Sequence, residues 1–472
     1  MWQGLVGIRS IKNRAKTHKF CYIYFAFVMK NFVKKFVPKF LLRLYHLALA
    51  CLAAFWYGYP SEKLIVIGVT GTKGKSTTAN LIAQFLEMTG CRVGLTSTAT
   101  MKVAEREWLS DKKMTMPGRF QLQKLLWEMV KAKCEYAIIE TSSEGIEQFR
   151  SRGINYDVVL LTNLTPEHIE AHGSYEAYRA AKAKLFYQLK FSPVKKIKGN
   201  VINKKVILDS TISEYGFFSK IQAGEEWYFC LSQQRAETKN TERKIIGCVV
   251  ELRADGAIFE CAGKILVTHL LFEFNIKNIL AAMAACMAVG ISFDQLAAVV
   301  ANLKPVPGRQ ELIEEGQPFK VMVDYTYEPT SMRALYENLN IIPHRRVIHV
   351  LGPTGGGRDK WRRPVLGEIA AQFADIVIGT TDDPHDDDPS EILDVLLAGA
   401  LKVQRAGRAV EVLKILDRRQ AIAEALRRAQ ANDLILITGK GAEQKMALAH
   451  GKYIPWDDIQ VVREELRKLV AS

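Results

Sequence analysis

Short, fully apolar runs separated by longer stretches with helical spacing dominate the hydrophobic pattern of the chain. The runs at 63–70 (KLIVIGVT), 136–140 (YAIIE) and 157–161 (DVVLL) lack polar alternation, as strands buried on both faces of a parallel sheet do. Between about 205 and 270, apolar and polar residues alternate and charged turns are frequent, which predicts a β-rich insertion. The pattern therefore predicts an α/β protein whose first large unit is built on a parallel sheet.

A second α/β unit follows the segment KPVPGRQ at 304–310. In it the runs VIHVLG, DIVIGT and DLILIT alternate with helical stretches, which predicts a Rossmann-like domain. We therefore expect three parts: an N-terminal arm at 1–59, a central domain at 60–304 and a C-terminal domain at 305–472. The active site is expected between the two domains.

Composition agrees with a folded protein and shows an unusual charge distribution. The 472 residues are 48% hydrophobic and 24% charged, which excludes a disordered or collagen-like chain. The net charge of +15 is concentrated at the front, because residues 1–60 hold ten Lys and Arg and no Asp or Glu. The eight cysteines form no C-x-x-C pair, so we expect buried free thiols in a reducing cytoplasm.

The basic arm contains two apolar stretches, Phe20–Met29 and Leu44–Tyr59, both too short to span a bilayer. Cations before the second stretch suit a helix lying on an anionic membrane surface. The alternative is a helix packed against the next domain. DNA binding fits less well, because the cations alternate with long apolar runs. A cleavable signal peptide is not expected, and either Met1 or Met29 could be the start.

A glycine-rich loop, TGTKGKST at 70–77, joins the first apolar run to a segment with helical spacing. Strand, loop and helix in this order form a unit whose backbone N–H groups and helix N-terminus bind phosphate. In it Lys75 would reach the outer phosphates of a nucleotide and Ser76 would bind Mg²⁺. The strict motif has glycine where this chain has Val69. We predict nucleotide binding at this loop.

Two further apolar runs bring polar residues to the same sheet edge. YAIIE ends in Glu140, and DVVLL leads into a segment that contains His168. Carboxyl ends of strands in open α/β sheets commonly face the ligand. Glu140 and His168 are therefore candidate ligands for a second Mg²⁺.

Lys182 lies on the apolar stripe of the helical segment YEAYRAAKAKLFYQL, between Tyr178 and Leu185. A lysine on a buried face is costly unless it is paired or chemically changed. One alternative is that its ammonium reaches solvent along the helix. The other is a lysine carbamate, which replaces the cation by a metal-binding carboxylate.

Eight segments occur in this order: TGTKGKST, ETSS, LTNLTPEH, YRAAKAK, FNIKN, PVPGRQE, VDYTYEP and GKGAE. Over about residues 58–460 the chain resembles the Mur ligases, the ATP-dependent ligases that build the peptidoglycan stem peptide. It is most similar to the MurE type, which adds the third amino acid to UDP-N-acetylmuramoyl-L-alanyl-D-glutamate.

The resemblance implies roles for individual residues. It implies ATP contacts at Gly71, Thr72, Lys73, Gly74, Lys75, Ser76, Thr77, Asn278, Arg309 and Asp324. It implies that Lys75, Glu140, His168 and Lys182 are catalytic, and that Ser76, Glu140, His168 and a carbamylated Lys182 bind metal. It implies contacts to the muramoyl dipeptide at Thr115, Ser142, Gln148 and Arg150, and to the incoming amino acid at Arg358, Asp382, Asp383, Pro384, His385, Gly439 and Glu443.

The chain also departs from the family pattern. The family's histidine after the paired serines is Glu144 here, and its second threonine in T-T-P is Met116. The histidines of D-Y-A-H and G-K-G-H-E are replaced by Tyr327 and Ala442. The arginine that marks diaminopimelate users is His385, and the asparagine beside it is Asp383. The family's N-terminal UDP-binding domain is not visible, and the basic arm stands in its place.

The resemblance implies an ATP- and Mg²⁺-dependent amide ligase that acts through an acyl phosphate. The partners would be the UDP-muramoyl dipeptide and a free amino acid, diaminopimelate or lysine, with no nucleic acid. We expect a cytoplasmic enzyme, with residues 1–59 as a candidate contact to the inner membrane face. The alternatives are a folylpolyglutamate-type ligase and a non-catalytic nucleotide-binding partner of the cell-wall machinery.

Overall fold

The structure is a computed structural model that describes residues 38–110, 115–165, 172–233, 243–357 and 360–471. Its helices are α1 (Lys39–Trp56), α2 (Lys75–Met88), α3 (Arg119–Lys131), α4 (Ser143–Glu147), α5 (Tyr175–Phe191), α6 (Tyr215–Ser219), α7 (Glu273–Ala288), α8 (Phe293–Val299), α9 (Pro329–Asn338), α10 (Arg362–Phe373), α11 (Pro389–Arg405), α12 (Arg418–Arg428) and α13 (Asp458–Ala471).

The strands of the first half are β1 (Ile65–Thr70), β2 (Val93–Thr96), β3 (Thr100–Val103), β4 (Arg106–Leu109), β5 (Tyr136–Glu140), β6 (Val158–Leu161), β7 (Lys195–Ile197), β8 (Asn200–Ile202), β9 (Lys205–Asp209), β10 (Glu225–Ser232), β11 (Lys244–Arg253), β12 (Gly256–Cys261) and β13 (Lys264–Thr268). Those of the second half are β14 (Glu311–Ile313), β15 (Lys320–Asp324), β16 (Val347–Leu351), β17 (Ile376–Gly379), β18 (Glu411–Lys414), β19 (Leu434–Thr438), β20 (Lys445–Ala447) and β21 (Tyr453–Pro455).

A single 11-stranded sheet runs through the first half, in the order β13-β12-β11-β10-β9-β6-β1-β5-β2-β3-β4. Strands β2, β5, β1, β6, β9, β10 and β11 pair in parallel, and both ends of the sheet are antiparallel. The predicted β-rich segment is confirmed, with a difference. Its strands β9–β13 continue the central sheet, because β9 pairs directly with β6.

The second sheet has the order β14-β15-β19-β16-β17-β18. Strands β15, β19, β16, β17 and β18 are parallel to one another, and β14 is antiparallel at the edge. Helices α9, α10 and α11 supply buried apolar residues to one face of this sheet, and α12 and α13 to the other. Helices thus cover both faces of a mainly parallel sheet, as in the predicted Rossmann-like domain, and the α/β fold class is confirmed.

Helix α1 packs against the central sheet's helical layer through its small residues. Ala50, Ala53 and Ala54 are buried, and the rings of Tyr57 and Trp127 in α3 lie 6.2 Å apart. The described part of the arm is therefore a helix packed on the neighbouring domain. Among the described residues, no helix combines the length and the apolarity needed to cross a membrane. The stretch Phe20–Met29 and both candidate starts lie outside the described residues.

A buried polar network connects the starts of strands β1, β6 and β9 in the central sheet. Asp157, fully buried before β6, accepts from Lys195 Nζ at 2.6 Å and Lys204 Nζ at 3.1 Å. Lys195 Nζ also donates to the carbonyls of Ser61 and Leu64, in the turn that leads from the arm into β1. Each buried ammonium has several oxygen acceptors, and the two share the Asp157 carboxylate, so the network joins this turn to the sheet.

Candidate active site

The glycine-rich loop lies between β1 and α2, as the sequence predicts. Gly71 (φ +149°) and Gly74 (φ +74°) adopt conformations that side chains rarely tolerate. A Cβ at Gly71 would lie 2.0 Å from Thr162 Oγ1, and one at Gly74 would lie 2.4 Å from Asn278 Oδ1. Both glycines are therefore required by close packing, and the N-terminus of α2 faces the open cleft.

The loop is held by the segment after β6. The Lys73 amide donates to Asn163 Oδ1 at 2.9 Å, and Thr162 Oγ1 donates to the Lys73 carbonyl at 2.6 Å. Lys75 Nζ donates to the Thr72 carbonyl at 2.8 Å, so its ammonium is folded back onto the loop. Thr162 and Asn163 were not among the predicted site residues, although they lie in the segment LTNLTPEH.

Ser76 and Glu140 meet at the carboxyl end of the central sheet. Ser76 Oγ donates to Glu140 Oε1 at 3.0 Å, and the Thr98 amide donates to Oε2 at 2.7 Å. The Glu140 side chain is buried, and both of these donors are neutral. A buried carboxylate next to a hydroxyl is a fitting donor set for Mg²⁺, which prefers oxygen ligands. The other predicted ligand, His168, lies outside the described residues.

Lys182 is buried on α5, with 1% of its surface exposed, as the apolar stripe predicts. Its Nζ donates to the Gly71 carbonyl at 2.6 Å and lies 4.5 Å from the centre of the Tyr178 ring. Tyr178 in turn donates to Thr72 Oγ1 at 3.1 Å. Helix α5 therefore contacts the start of the glycine-rich loop through two side chains.

Residues from both sheets line one cleft of about 360 Å³. Asn278 in α7 reaches it from the first half, and Arg309 and Asp324 reach it from the second. Arg309 Nη2 lies 3.5 Å from Ser76 Oγ, and its guanidinium lies 4.2 Å above the Tyr325 ring. Asp324, at the end of β15, accepts from the Gln310 amide at 2.9 Å. Every predicted nucleotide contact from 72 to 77, together with these three residues, thus borders one space.

The four residues predicted to contact the dipeptide lie in two segments, one after β4 and one after β5, which Arg150 connects. Thr115 lines the cleft itself. Ser142 caps α4 by accepting from the Gly145 amide at 3.1 Å. Gln148 Oε1 accepts from Arg150 Nη2 at 2.7 Å, and Arg150 Nη1 donates to the Met116 carbonyl at 2.6 Å. Burial lowers the pKa of Arg150.

A buried charge cluster occupies the predicted amino-acid site. Lys440 Nζ, which is fully buried, lies 3.3 Å from Asp382 Oδ1, 3.1 Å from Asp383 Oδ1 and 2.9 Å from Glu443 Oε2. Glu443 Oε1 also accepts from the Tyr325 hydroxyl at 3.1 Å. Burial, partly offset by Lys440, raises the pKa of Asp382 from 3.8 to about 6, and the three carboxylates raise the pKa of Lys440.

Other predicted members of this site surround the cluster. Gly439 has φ +114°, and a Cβ there would lie 2.6 Å from Asp382 Oδ2. His385 is also left-handed, with φ +51°, and its ring lies against Gly356. Pro384 is buried beside Gly355. Arg358 lies outside the described residues. Lys440 was not among the predicted site residues. Its place between two glycines, just after a buried strand, was a signal that could have indicated it.

Comparison with known proteins agrees with this architecture. The family model "Mur ligase middle domain" matches residues 69–286, and "Mur ligase, glutamate ligase domain" matches residues 308–441. The arm at 1–59 lies outside both matches. The two matched domains, with the glycine-rich loop at the cleft between the two sheets, define the class of this protein as a ligase.

The chain belongs to the Mur ligase family, a family of ATP-dependent enzymes that form amide bonds. It is 35% identical over 431 residues to the UDP-N-acetylmuramoyl-L-alanyl-D-glutamate–2,6-diaminopimelate ligase of Geobacillus kaustophilus, covering 89% of this chain and 82% of that protein. It is 34% identical over 439 residues to the UDP-N-acetylmuramyl-tripeptide synthetase of a Roseiflexus species, with the same coverage.

Solved structures show the same fold. A UDP-N-acetylmuramoyl-L-alanyl-D-glutamate–2,6-diaminopimelate ligase matches with a TM-score of 0.57 at 26% identity, over 87% of this chain and 79% of that one. The Escherichia coli FolC complex with ADP matches with a TM-score of 0.61, over 90% of this chain and 94% of that one. At 16% identity, FolC is informative about the fold alone. The family predicted from the motifs is confirmed.

Proposed function

We propose that the chain joins a free amino acid to UDP-N-acetylmuramoyl-L-alanyl-D-glutamate, with ATP hydrolysed to ADP and phosphate, in peptidoglycan synthesis. The substrates named by the relatives support this reaction. The observation that carries the proposal is the cleft in which the glycine-rich loop, the Ser76–Glu140 pair and Arg309 border one space. Domain boundaries near 60 and 305 are part of the proposal.

Mg²⁺ fits the donor set of this cleft. Ser76 and Glu140 would hold it, together with His168. When bound, the ion would neutralise charge on the transferring phosphoryl group. Lys182 as a carbamate is a finer proposal, which rests on the burial of its side chain and on the family resemblance. In its amine form, Lys182 already fixes Gly71 at the start of the loop.

The reaction needs positioning and charge stabilisation more than a covalent protein group. ATP would bind with its phosphates on the loop amides and the α2 N-terminus, and Lys75 would turn from the Thr72 carbonyl toward the γ-phosphate. A substrate carboxylate oxygen attacks the γ-phosphorus, the bond to the β,γ-bridging oxygen breaks, and ADP leaves. Arg309, on the opposite side of the cleft, can stabilise charge on the transferred group.

The second step forms the amide. The neutral amine of the incoming amino acid attacks the acyl carbon, the carbon–oxygen bond to phosphate breaks, and the amine loses one proton. We place the amino acid beside Asp382, Asp383, His385 and Glu443. His385 is a poorer partner for a carboxylate than arginine, and the site is rich in acids, so lysine competes with diaminopimelate as the substrate.

ADP release measured with the UDP-muramoyl dipeptide and a panel of amino acids tests the function. We expect ADP only when both the dipeptide and a diamino acid are present, and a tripeptide product by mass spectrometry. A Ser76→Ala variant provides the inactive control. The absence of ADP with every pair would favour a non-catalytic nucleotide-binding protein, and ADP with a folate acceptor would favour a folylpolyglutamate-type ligase.

We also propose a cytoplasmic enzyme whose arm contacts the inner membrane face. The support is the charge of residues 1–60, which carry ten cations and no acids. In addition, the outer face of α1 exposes large apolar side chains, among them Phe55 (69%) and Trp56 (73%). Cations with exposed aromatic residues suit an anionic lipid surface.

A further inference from the structure

Three arginines surround the turn formed by Gln148 and Phe149, where α1 and α3 contact the segment that follows α4. Arg119, the first residue of α3, donates from Nη2 to the Gln148 carbonyl. Arg150 donates to the side chain of Gln148 at 2.7 Å. Arg43, on α1 of the arm, has its guanidinium 5.8 Å from the centre of the Phe149 ring. Two helices, α1 and α3, thus bring cations to a turn that carries Arg150 itself.

Two of these arginines have no carboxylate partner among the residues the structure describes. Arg43 has no ion pair there, and its guanidinium lies against the Phe149 ring. Arg119 is half-buried, and its Nε is a buried donor without a hydrogen-bond acceptor in the described chain. A buried donor left unsatisfied costs free energy, which a bound anion would recover.

The electrostatics and backbone of this turn also favour an anion. Burial lowers the pKa of Arg119, and the positive charge of Arg150 lowers it further. A negative ligand between the two guanidinium groups would raise this pKa again. The first turn of the 13-residue helix α3 has no side-chain cap, since its N-cap is Gly118. Phe149 itself has φ +57°, a strained conformation for a bulky residue.

We infer that Arg43, Arg119 and Arg150 form a binding site for the diphosphate of the nucleotide-linked substrate. This inference rests on the proposed function. Guanidinium groups recognise phosphate oxygens through paired, charge-assisted hydrogen bonds. The arm lies outside both matched family domains, and its helix α1 supplies one of the three cations. The diphosphate is favoured over a single carboxylate, because Arg43 and Arg119 add two positive charges beside Arg150.

UDP binding to the full-length chain, measured by calorimetry, tests this site. A non-hydrolysable ATP analogue at saturation keeps UDP out of the nucleotide cleft, and uridine serves as the ligand without phosphate. We expect Arg43→Gln and Arg119→Gln each to weaken UDP binding about tenfold, as loss of a charge-assisted hydrogen bond does. Arg119→Lys should lie between the wild type and Arg119→Gln. Uridine should bind weakly to all of them.

Arg152→Gln is the matched control. Arg152 is an exposed arginine close to Arg150 in the chain, without an ion pair among the described residues. Its substitution should leave UDP binding unchanged. Equal weakening by all the substitutions, or none by Arg43→Gln and Arg119→Gln, would overturn the inference. Thermal melting of each variant verifies folding.

Kinetics separate this inference from the proposed function. In the ligation assay, Arg43→Gln and Arg119→Gln should raise KM for the UDP-muramoyl dipeptide about tenfold and leave KM for ATP unchanged. If no amino acid supports turnover but UDP binding still depends on the arginines, the proposed function fails and the anion site stands. If turnover occurs and these variants keep a normal KM, the anion site fails alone.

Discussion

Lys182 is the residue whose chemistry is least ordinary, since its amine is buried beneath the glycine-rich loop. We expect Lys182→Ala to lower ligation by about 10²- to 10³-fold, as loss of a group that stabilises transition-state charge does. Lys182→Arg keeps a cation that can reach Gly71 but cannot take up CO₂. If the carbamate is needed, Lys182→Arg should show the same loss of ligation as Lys182→Ala.

Carbon-13 NMR in labelled bicarbonate detects the carbamate directly. The wild type should show its signal, and both variants should lack it. Near-normal turnover by Lys182→Ala would contradict the proposed role, and activity of Lys182→Arg alone would reduce that role to holding Gly71.

Asp382 should give amino-acid binding a pH dependence in the acidic range. Its pKa is raised from 3.8 to about 6, mainly by burial. Between these values the folded protein binds the proton more tightly than the unfolded chain, so this group's contribution to the free energy of unfolding falls as pH rises. Below pH 6 the site loses a negative charge, and KM for a diamino acid should rise.

Asp382→Asn removes the titrating group, so this acidic limb should disappear from the pH profile of KM. The comparison is made at matched ATP saturation. An unchanged limb in the variant would assign the titration to another group.

Some site residues are predictable from the sequence and others are not, depending on how local their signals are. Lys75 and Ser76 belong to a contiguous motif, and the burial of Lys182 follows from the spacing of its own helix. Lys440 contacts Asp382 across 58 residues of chain, and Arg119 contacts Gln148 across 29. No local pattern records such distant pairings, because they arise only when separate loops meet.

At the scale of elements, the linker between the two halves contacts the loop that carries Glu443. Gly308 has φ +66°, and a Cβ there would lie 2.1 Å from the Ala442 amide nitrogen. We expect Gly308→Ala to displace this loop, raise KM for the amino acid and lower the melting temperature.

Gly316→Ala provides the matched control for that substitution. Gly316 has φ +92°, with open space where the Cβ would lie. Both substitutions carry the left-handed backbone cost of about 1–2 kcal/mol, so their difference reports the contact with Ala442. Equal effects on KM would mean that the linker does not position the amino-acid site.

Helix α1 should mediate the proposed membrane contact through its outer face. Phe55→Ser with Trp56→Ser should reduce flotation of the full-length chain with phosphatidylglycerol vesicles, since both side chains are exposed while Ala50, Ala53 and Ala54 hold the helix in place. Trp361→Ser with Tyr453→Ser, at two exposed aromatic positions of the second half, is the control. Equal flotation of both double variants would exclude this face.

Strand positions were predicted well wherever a strand is buried on both faces. The run YAIIE corresponds to β5 at Tyr136–Glu140, and KLIVIGVT contains β1. Lys63, the first residue of that run, ends a 3₁₀ turn at Pro60–Lys63, and the Ser61 carbonyl of this turn accepts from Lys195 Nζ. Apolarity therefore located the strands, while their ends depend on polar contacts from distant segments.

For the whole molecule, the order of strands was beyond sequence patterns. The alternation at 205–270 predicted β structure, but not that β9 would pair with β6 and extend the central sheet. The predicted cleft between two halves follows from the α/β rule that ligands bind at the carboxyl ends of strands. Which residues line this cleft depends on contacts between loops, such as that of Arg309 with Ser76.

An isotope-transfer experiment tests the proposed ligase chemistry most directly. The D-glutamyl carboxylate of the UDP-muramoyl dipeptide is labelled with oxygen-18, and the phosphate released during ligation is analysed by mass spectrometry. Attack of that carboxylate on the γ-phosphorus leaves one of its oxygens on phosphate when the amide forms. We therefore expect one labelled oxygen in each phosphate released. Tripeptide formation with unlabelled phosphate, or ATP hydrolysis without tripeptide, would contradict the acyl-phosphate ligase reaction.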